Sequence, residues 1–108
     1  MFRRQFLSLI PMAAAMPFAA KAASHAAPAQ VAIKSFAYEP EVIEIKAGES
    51  VEWTNMDRAR HSATADNGGF DTGLFRRNES RTVQFNQKGT FTYFCTAHRR
   101  MKGTVVVV

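Results

Sequence analysis

From Val31 onward the chain advances in short runs whose apolar positions recur every second residue. Val31 to Phe36 is the first such run, and Val42 to Lys46 follows Pro40 and stops at Ala47-Gly48. Val51-Glu52-Trp53-Thr54 alternates apolar with polar, the period of a half-buried strand. Arg81 to Phe85 repeats that alternation with Val83 and Phe85 on one side, and Asn86-Gln87-Lys88-Gly89 has the chemistry of a turn. Thr90 to Cys95 alternates again, and Gly103 to Val108 closes the chain as a valine strand. No stretch beyond residue 30 shows a helical period. Short strands at this spacing predict a single all-β domain, a sandwich or barrel. Asp66 to Asn78, with Gly68, Gly69 and Gly73, reads as a long loop.

Alternation also assigns faces. Phe91, Tyr93 and Cys95 share one side of their strand, and Thr90, Thr92 and Phe94 share the other. The aromatic side is the expected core, since each such ring can bury about 150–250 Å². Cys95 therefore leaves the strand on the core side, beneath the surface. Trp53 is expected in the same core, and Phe94 at the surface.

The N-terminus belongs to a different pattern. Arg3-Arg4 precedes an apolar run from Leu7 to Ala20 that is broken by Pro11 and Pro17, and Ala20-Lys21-Ala22 offers a cleavage site. The run is too short to span a bilayer. Arg-Arg-x-Phe-Leu resembles the twin-arginine signal, which exports proteins already folded. The expected division is an export signal over residues 1–22, a flexible Ala- and Pro-rich leader over 23–30, and one domain over 31–108. The mature chain is then periplasmic, without a membrane span.

Export alters both the charge and the cysteine argument. Fourteen Lys and Arg stand against nine Asp and Glu, but Arg3, Arg4 and Lys21 leave with the signal. Fourteen less three is eleven, and eleven less nine leaves a formal charge of +2. That balance, with no nucleic-acid-binding motif, gives no support to DNA or RNA as a partner. The basic residues are nevertheless grouped: Arg58 and Arg60 before His61, Arg76 and Arg77 in the loop, and Arg99, Arg100 and Lys102 around Met101. Convergence of those segments would gather the charge at one end. A single cysteine in an oxidising space cannot form an internal disulfide, so it is a free thiol, an intermolecular bridge or a metal ligand.

Cys95-Thr96-Ala97-His98-Arg99-Arg100-Met101 decides among these. Thiolate, imidazole and thioether are the donors a soft, redox-active copper ion prefers. Extended chain advances about 3.3 Å per residue, so these groups can share one ion only if the chain turns tightly after Cys95. The chain has three histidines. His98 is one and His25 lies near the N-terminus, which leaves His61 to supply a second imidazole. Zinc suits the thioether poorly, so Met101 favours copper.

These residues resemble the cupredoxins, small blue-copper electron carriers. The likeness runs from Phe36-Ala37-Tyr38-Glu39-Pro40 through Gly48-Glu49-Ser50-Val51-Glu52-Trp53-Thr54-Asn55 to the terminal valines. Within that family, the Cys-x-x-His-x-x-Met spacing is similar to the amicyanin type, ahead of the longer plastocyanin and pseudoazurin loops. The resemblance implies a Greek-key β-sandwich with one copper ion, Cu(I)/Cu(II), at one end. It implies His61, Cys95 and His98 as equatorial ligands, with Met101 as the weak axial one. Partners would be redox proteins that donate and accept the electron, and the carrier would be a monomer.

Three positions depart from the family pattern. Ser62 stands where relatives commonly have Asn beside the first ligand, and Ala97 and Arg99 stand where prolines flank the second. Arg99 and Arg100 replace part of an apolar docking rim, which suggests an acidic surface on the partner. A periplasmic copper chaperone or store is the alternative function, but only Met56 and Met101 remain after signal removal to furnish a Met-rich surface. An oxidase or nitrite reductase needs a second, His-rich centre, and no histidines are left for one. An enzymatic role is therefore not expected.

Overall fold

The alternating runs do become strands. The computed structural model describes residues 27–108, and the export signal expected over residues 1–22 lies outside the described residues. Eight strands follow in order: β1 Ala29–Lys34, β2 Ala37–Glu39, β3 Val42–Ile45, β4 Ser50–Asn55, β5 Thr64–Ala65, β6 Ser80–Gln84, β7 Gly89–Cys95 and β8 His98–Val107. No described residue is helical, and no helix is long and apolar enough to cross a membrane.

The strands form two four-stranded sheets, ordered β2-β1-β4-β6 and β3-β8-β7-β5. Each sheet holds one parallel pair, β1 with β4 and β3 with β8, and the remaining pairs are antiparallel. The chain passes repeatedly from one sheet to the other, so the Greek-key sandwich expected from the sequence is present. Between the sheets lie Val31, Ile33, Val51, Trp53, Phe75, Phe85, Tyr93, Val105 and Val107, all buried. Trp53 is fully enclosed and packs edge-on to Tyr93 at 5.3 Å between ring centres, as its core assignment required. Burial pushes the Tyr93 hydroxyl up to about 12, so the phenol stays neutral at any physiological pH.

The structure differs from the sequence reading in places. Ala29 and Gln30, placed in the leader, are already in β1 opposite Val51 and Glu52 of β4. The Gln30 side-chain amide also donates to the Glu52 carboxylate at 2.8 Å. The last strand starts at His98 rather than Gly103, because Arg99, Arg100 and Lys102 are exposed on a strand whose inward positions are Met101, Gly103, Val105 and Val107. Phe94 is half-buried rather than free at the surface, with the Arg99 guanidinium 5.5 Å from its ring centre. The 66–78 segment is a loop as expected, anchored by the buried Phe75.

One end of the sandwich gathers the chemistry. The β1–β2 turn, the 56–62 segment, the strip around Phe75 and the β7–β8 turn are tied together there by hydrogen bonds. The opposite end is closed separately, by Gly48 donating to the Phe85 carbonyl and Phe85 donating to that of Glu49.

Candidate metal centre

His61 follows β4 by a six-residue path that is braced along its length. Asn55, fully buried at the end of β4, donates through Nδ2 to the carbonyls of Ala59 at 2.9 Å and Phe75 at 3.0 Å. Its Oδ1 accepts from the Asp57 amide at 2.8 Å. The His61 backbone then pairs with Phe75 in both directions, at 3.2 and 2.9 Å. Polar groups this deeply buried are stable only when so partnered. The imidazole is fixed in turn: Nδ1 faces the Cys95 sulfur at 3.7 Å, and Nε2 donates to the Asp57 carboxylate at 2.9 Å. Burial alone would raise the Asp57 carboxyl. Hydrogen bonds from the Phe36 and Ser35 amides and from His61 outweigh it and hold the group below the usual carboxylate range.

Cys95 ends β7 completely buried. The register with β8 shifts between Phe94 and Cys95, a bulge that re-aims the last side chain. A two-residue turn, Thr96-Ala97, reverses the chain and sets His98 directly opposite Cys95. The tight turn demanded by the ligand spacing is therefore the hairpin itself. His98 Nδ1 lies 3.8 Å from the sulfur. One donor atom each from His61, Cys95 and His98 falls within 4.8 Å of the others. Met101, the fourth residue expected here, is buried on β8. It lines, with Phe36, His98, Arg99 and Arg100, a cleft of about 340 Å³ at the surface.

Ser62, next to His61, braces the ligand turn. Its backbone N–H points to the Cys95 sulfur at 3.4 Å, and its hydroxyl accepts from the Thr96 amide at 3.0 Å. The same hydroxyl is shared with Thr64 at 2.9 Å, and Tyr38 donates to the Ser62 carbonyl. Serine thus holds the ligand turn through a hydroxyl that reaches one backbone amide. A donor to the sulfur and a fixed turn are levers on the potential of a metal bound to that sulfur.

The basic residues noted in the sequence flank this end. Arg58 and Arg60 lead into His61, Arg76 follows Phe75, and Arg99 and Arg100 follow His98; all are exposed. Among the described residues none of them forms an ion pair. Two residues of the site went unnoticed in the sequence reading as contributors. Asp57 binds His61, and Phe36, half exposed, stands edge-on to both imidazoles at 5.2 and 4.8 Å. A local signal for Asp57 exists in Asn55-x-Asp57, an Asx turn whose acid is aimed by the preceding amide.

Two imidazoles and a thiolate held at one end of a β-sandwich, with a buried thioether close in sequence, define a mononuclear site for a soft metal, and that donor set fits copper. The chain belongs to the cupredoxin-like domain family, which matches residues 7–107. It is 34% identical over 109 residues to amicyanin-alpha of Methylorubrum extorquens, covering 94% of this chain and 92% of that protein. It is also 34% identical over 83 residues to plastocyanin of Scenedesmus fuscus, covering 65% of this chain and 85% of the other. Among solved structures, the Cu(I) form of an amicyanin mutant superposes with a TM-score of 0.71 at 30% identity, covering 81% of this chain and 89% of that one. The copper-containing nitrite reductase of Thermus scotoductus also gives 0.71, at 29% identity over 76% of this chain, but this chain spans only 22% of that enzyme.

Proposed function

We propose that His61, Cys95, His98 and Met101 hold one copper ion, and that the protein carries single electrons between redox proteins in the periplasm after its export signal is removed. The observation that carries this reading is the convergence of three donor atoms within 4.8 Å on a scaffold whose every supporting segment is hydrogen-bonded. Copper supplies the chemistry, a reversible change between Cu(I) and Cu(II). The chain's own residues supply the rest. Asn55, Asp57 and the pairing with Phe75 orient His61, while the hairpin and Ser62 orient Cys95 and His98. Burial of His61 and Cys95 excludes water. A scaffold that does not rearrange between oxidation states keeps the cost of electron transfer low. His98, only partly buried, is the ligand placed to meet a partner.

Ligands seated this firmly do not suit a chaperone or store, which must release its metal readily. Amicyanin and plastocyanin, the named relatives, agree with the carrier reading. Protein loaded with Cu(II) should show intense visible absorption from thiolate-to-copper charge transfer and a reversible one-electron couple. A colourless Cu(II) form would overturn the assignment.

The rim carries a second expectation. Arg99 and Arg100 are exposed beside His98 and free of ion pairs among the described residues, so an acidic partner surface fits this end. Oxidation of the Cu(I) protein by the anionic reagent hexacyanoferrate(III) should slow about tenfold in Arg99→Glu/Arg100→Glu at low salt. The gap should close as ionic strength approaches 0.15 M, where the Debye length is about 8 Å. Equal rates for both proteins at low salt would remove the electrostatic role.

A further inference from the structure

Ser35 and Phe36 form the two-residue turn between β1 and β2, with Lys34 opposite Ala37. Their φ angles are 55° and 58°. Positive φ at both positions is the twist a tight hairpin needs, but it favours Gly, Asn and Asp, and an ordinary L-residue there is strained by its Cβ. Something must hold this turn, and the bonds identify it. Asp57 Oδ1 accepts the Ser35 amide at 2.9 Å and Oδ2 accepts the Phe36 amide at 2.9 Å. Charge-assisted bonds of this kind are roughly twice as strong as neutral ones. Oδ2 also accepts His61 Nε2, again at 2.9 Å.

One carboxylate oxygen therefore joins a strained surface turn to a ligand imidazole. The turn presents Phe36, 51% exposed, with its ring nearly perpendicular to His61 and His98, at 85° and 88°. We propose that Asp57 is a positioning residue that couples the seat of Phe36 to the donor strength of His61. An object pressing on Phe36 at the surface is then felt at the metal. A carboxylate that accepts the far N–H of a ligand imidazole fixes its tautomer and makes it a stronger donor, which favours the more highly charged metal. The Phe36 amide and His61 share Oδ2, so weakening either bond leaves more of the oxygen's charge to the other. Free-energy coupling of this sort is reciprocal: what the turn does to the metal, the metal does to the turn.

The inference rests on His61 being a copper ligand, and its test separates the two ideas. Amide exchange at Ser35 and Phe36 is measured by NMR in metal-free and Cu(I)-loaded protein, for wild type, Asp57→Asn and Asp57→Glu. The reduction potential is read for each. In the metal-free protein, Asp57→Asn should speed exchange at both turn amides about tenfold or more, while the amides of Trp53 and Tyr93 keep their protection. The potential should rise in Asp57→Asn and move back toward wild type in Asp57→Glu. Cu(I) should speed exchange at the Phe36 amide in wild type, because a metal on His61 strengthens its bond to the shared Oδ2, and should have no such effect in Asp57→Asn. An unchanged potential in Asp57→Asn overturns the proposal. So does a metal effect on the turn of equal size with and without the carboxylate. A protein that takes up no copper sinks the functional reading instead, and the metal-free exchange comparison still decides whether Asp57 clamps the turn.

Discussion

Cys95→Ser is expected to abolish the visible copper absorption and the reversible couple while leaving the sandwich folded. The sulfur is the point on which the centre converges, 3.7 Å from one imidazole Nδ1 and 3.8 Å from the other. A serine hydroxyl does not ionise near neutral pH, and as a hard donor it does not match copper in its reduced state. Loss of the thiolate removes the charge-transfer transition altogether, so the effect on the spectrum is complete rather than graded. The fold should tolerate the change because the new hydroxyl is not left unpartnered. The Ser62 amide already points at this position from 3.4 Å. A buried polar group without a partner costs about 1–3 kcal/mol, and a partner reduces that. Against a domain stability of about 5–15 kcal/mol, the variant should remain native. Absorption spectra and voltammetry of the copper-loaded variant, beside a denaturant melt of its metal-free form, check both halves. A persisting blue band would place the thiolate outside the centre.

The residues that carry this site were legible because the chemistry is written locally. Cys95, His98 and Met101 fall within seven positions, and three of the four expected ligands lie in one hairpin. The strand pattern also showed that Cys95 points inward, and the structure places it at zero exposure. What stayed hidden depends on contacts between distant segments. β2 and β5, three and two residues long, are too short to show a period. β8 was cut short because Arg99 and Arg100 follow one another outside, breaking the alternation near the bulge where the strand begins. Asp57 sits among arginines in a segment that reads as a charged approach to His61. Its partners Ser35 and Phe36 come from 22 and 21 residues earlier, and no local pattern announces them. Ser62 was recognised as a departure from the family, but only the structure shows its hydroxyl meeting the Thr96 amide.

Gly103→Ala is expected to be the most damaging conservative change in the fold. Gly103 lies in β8 directly opposite Tyr93 of β7, and the phenol ring takes up the space where a side chain would stand. A Cβ added there would come within 2.4 Å of both the ring Cζ and the hydroxyl oxygen, and 2.9 Å from Cε2. Real carbon contacts do not reach such distances, so either the ring or the strand must move. The ring has nowhere to go: Tyr38 packs against it at 4.6 Å, Trp53 at 5.3 Å and Phe70 at 6.2 Å, and no part of Tyr93 is exposed. Overpacking a core of this kind costs about 1–3 kcal/mol and sometimes more. The upper end is expected here, because several rigid atoms are hit at once. Gly48→Ala is the informative control. Gly48 has nothing within 4 Å of an added Cβ, but its φ is +98°. Its cost comes from backbone conformation alone, roughly 1–2 kcal/mol for an L-residue at positive φ. Denaturant melts of the metal-free proteins should rank the two, with Gly103→Ala losing clearly more. Shortening the opposing ring in Gly103→Ala/Tyr93→Leu should make the pair of changes cost less than the sum of the single ones. Additive losses would mean that the clash is relieved by strand movement instead. Cys95 ends the same strand two residues beyond Tyr93, so that movement would also appear as a shifted or broadened copper spectrum.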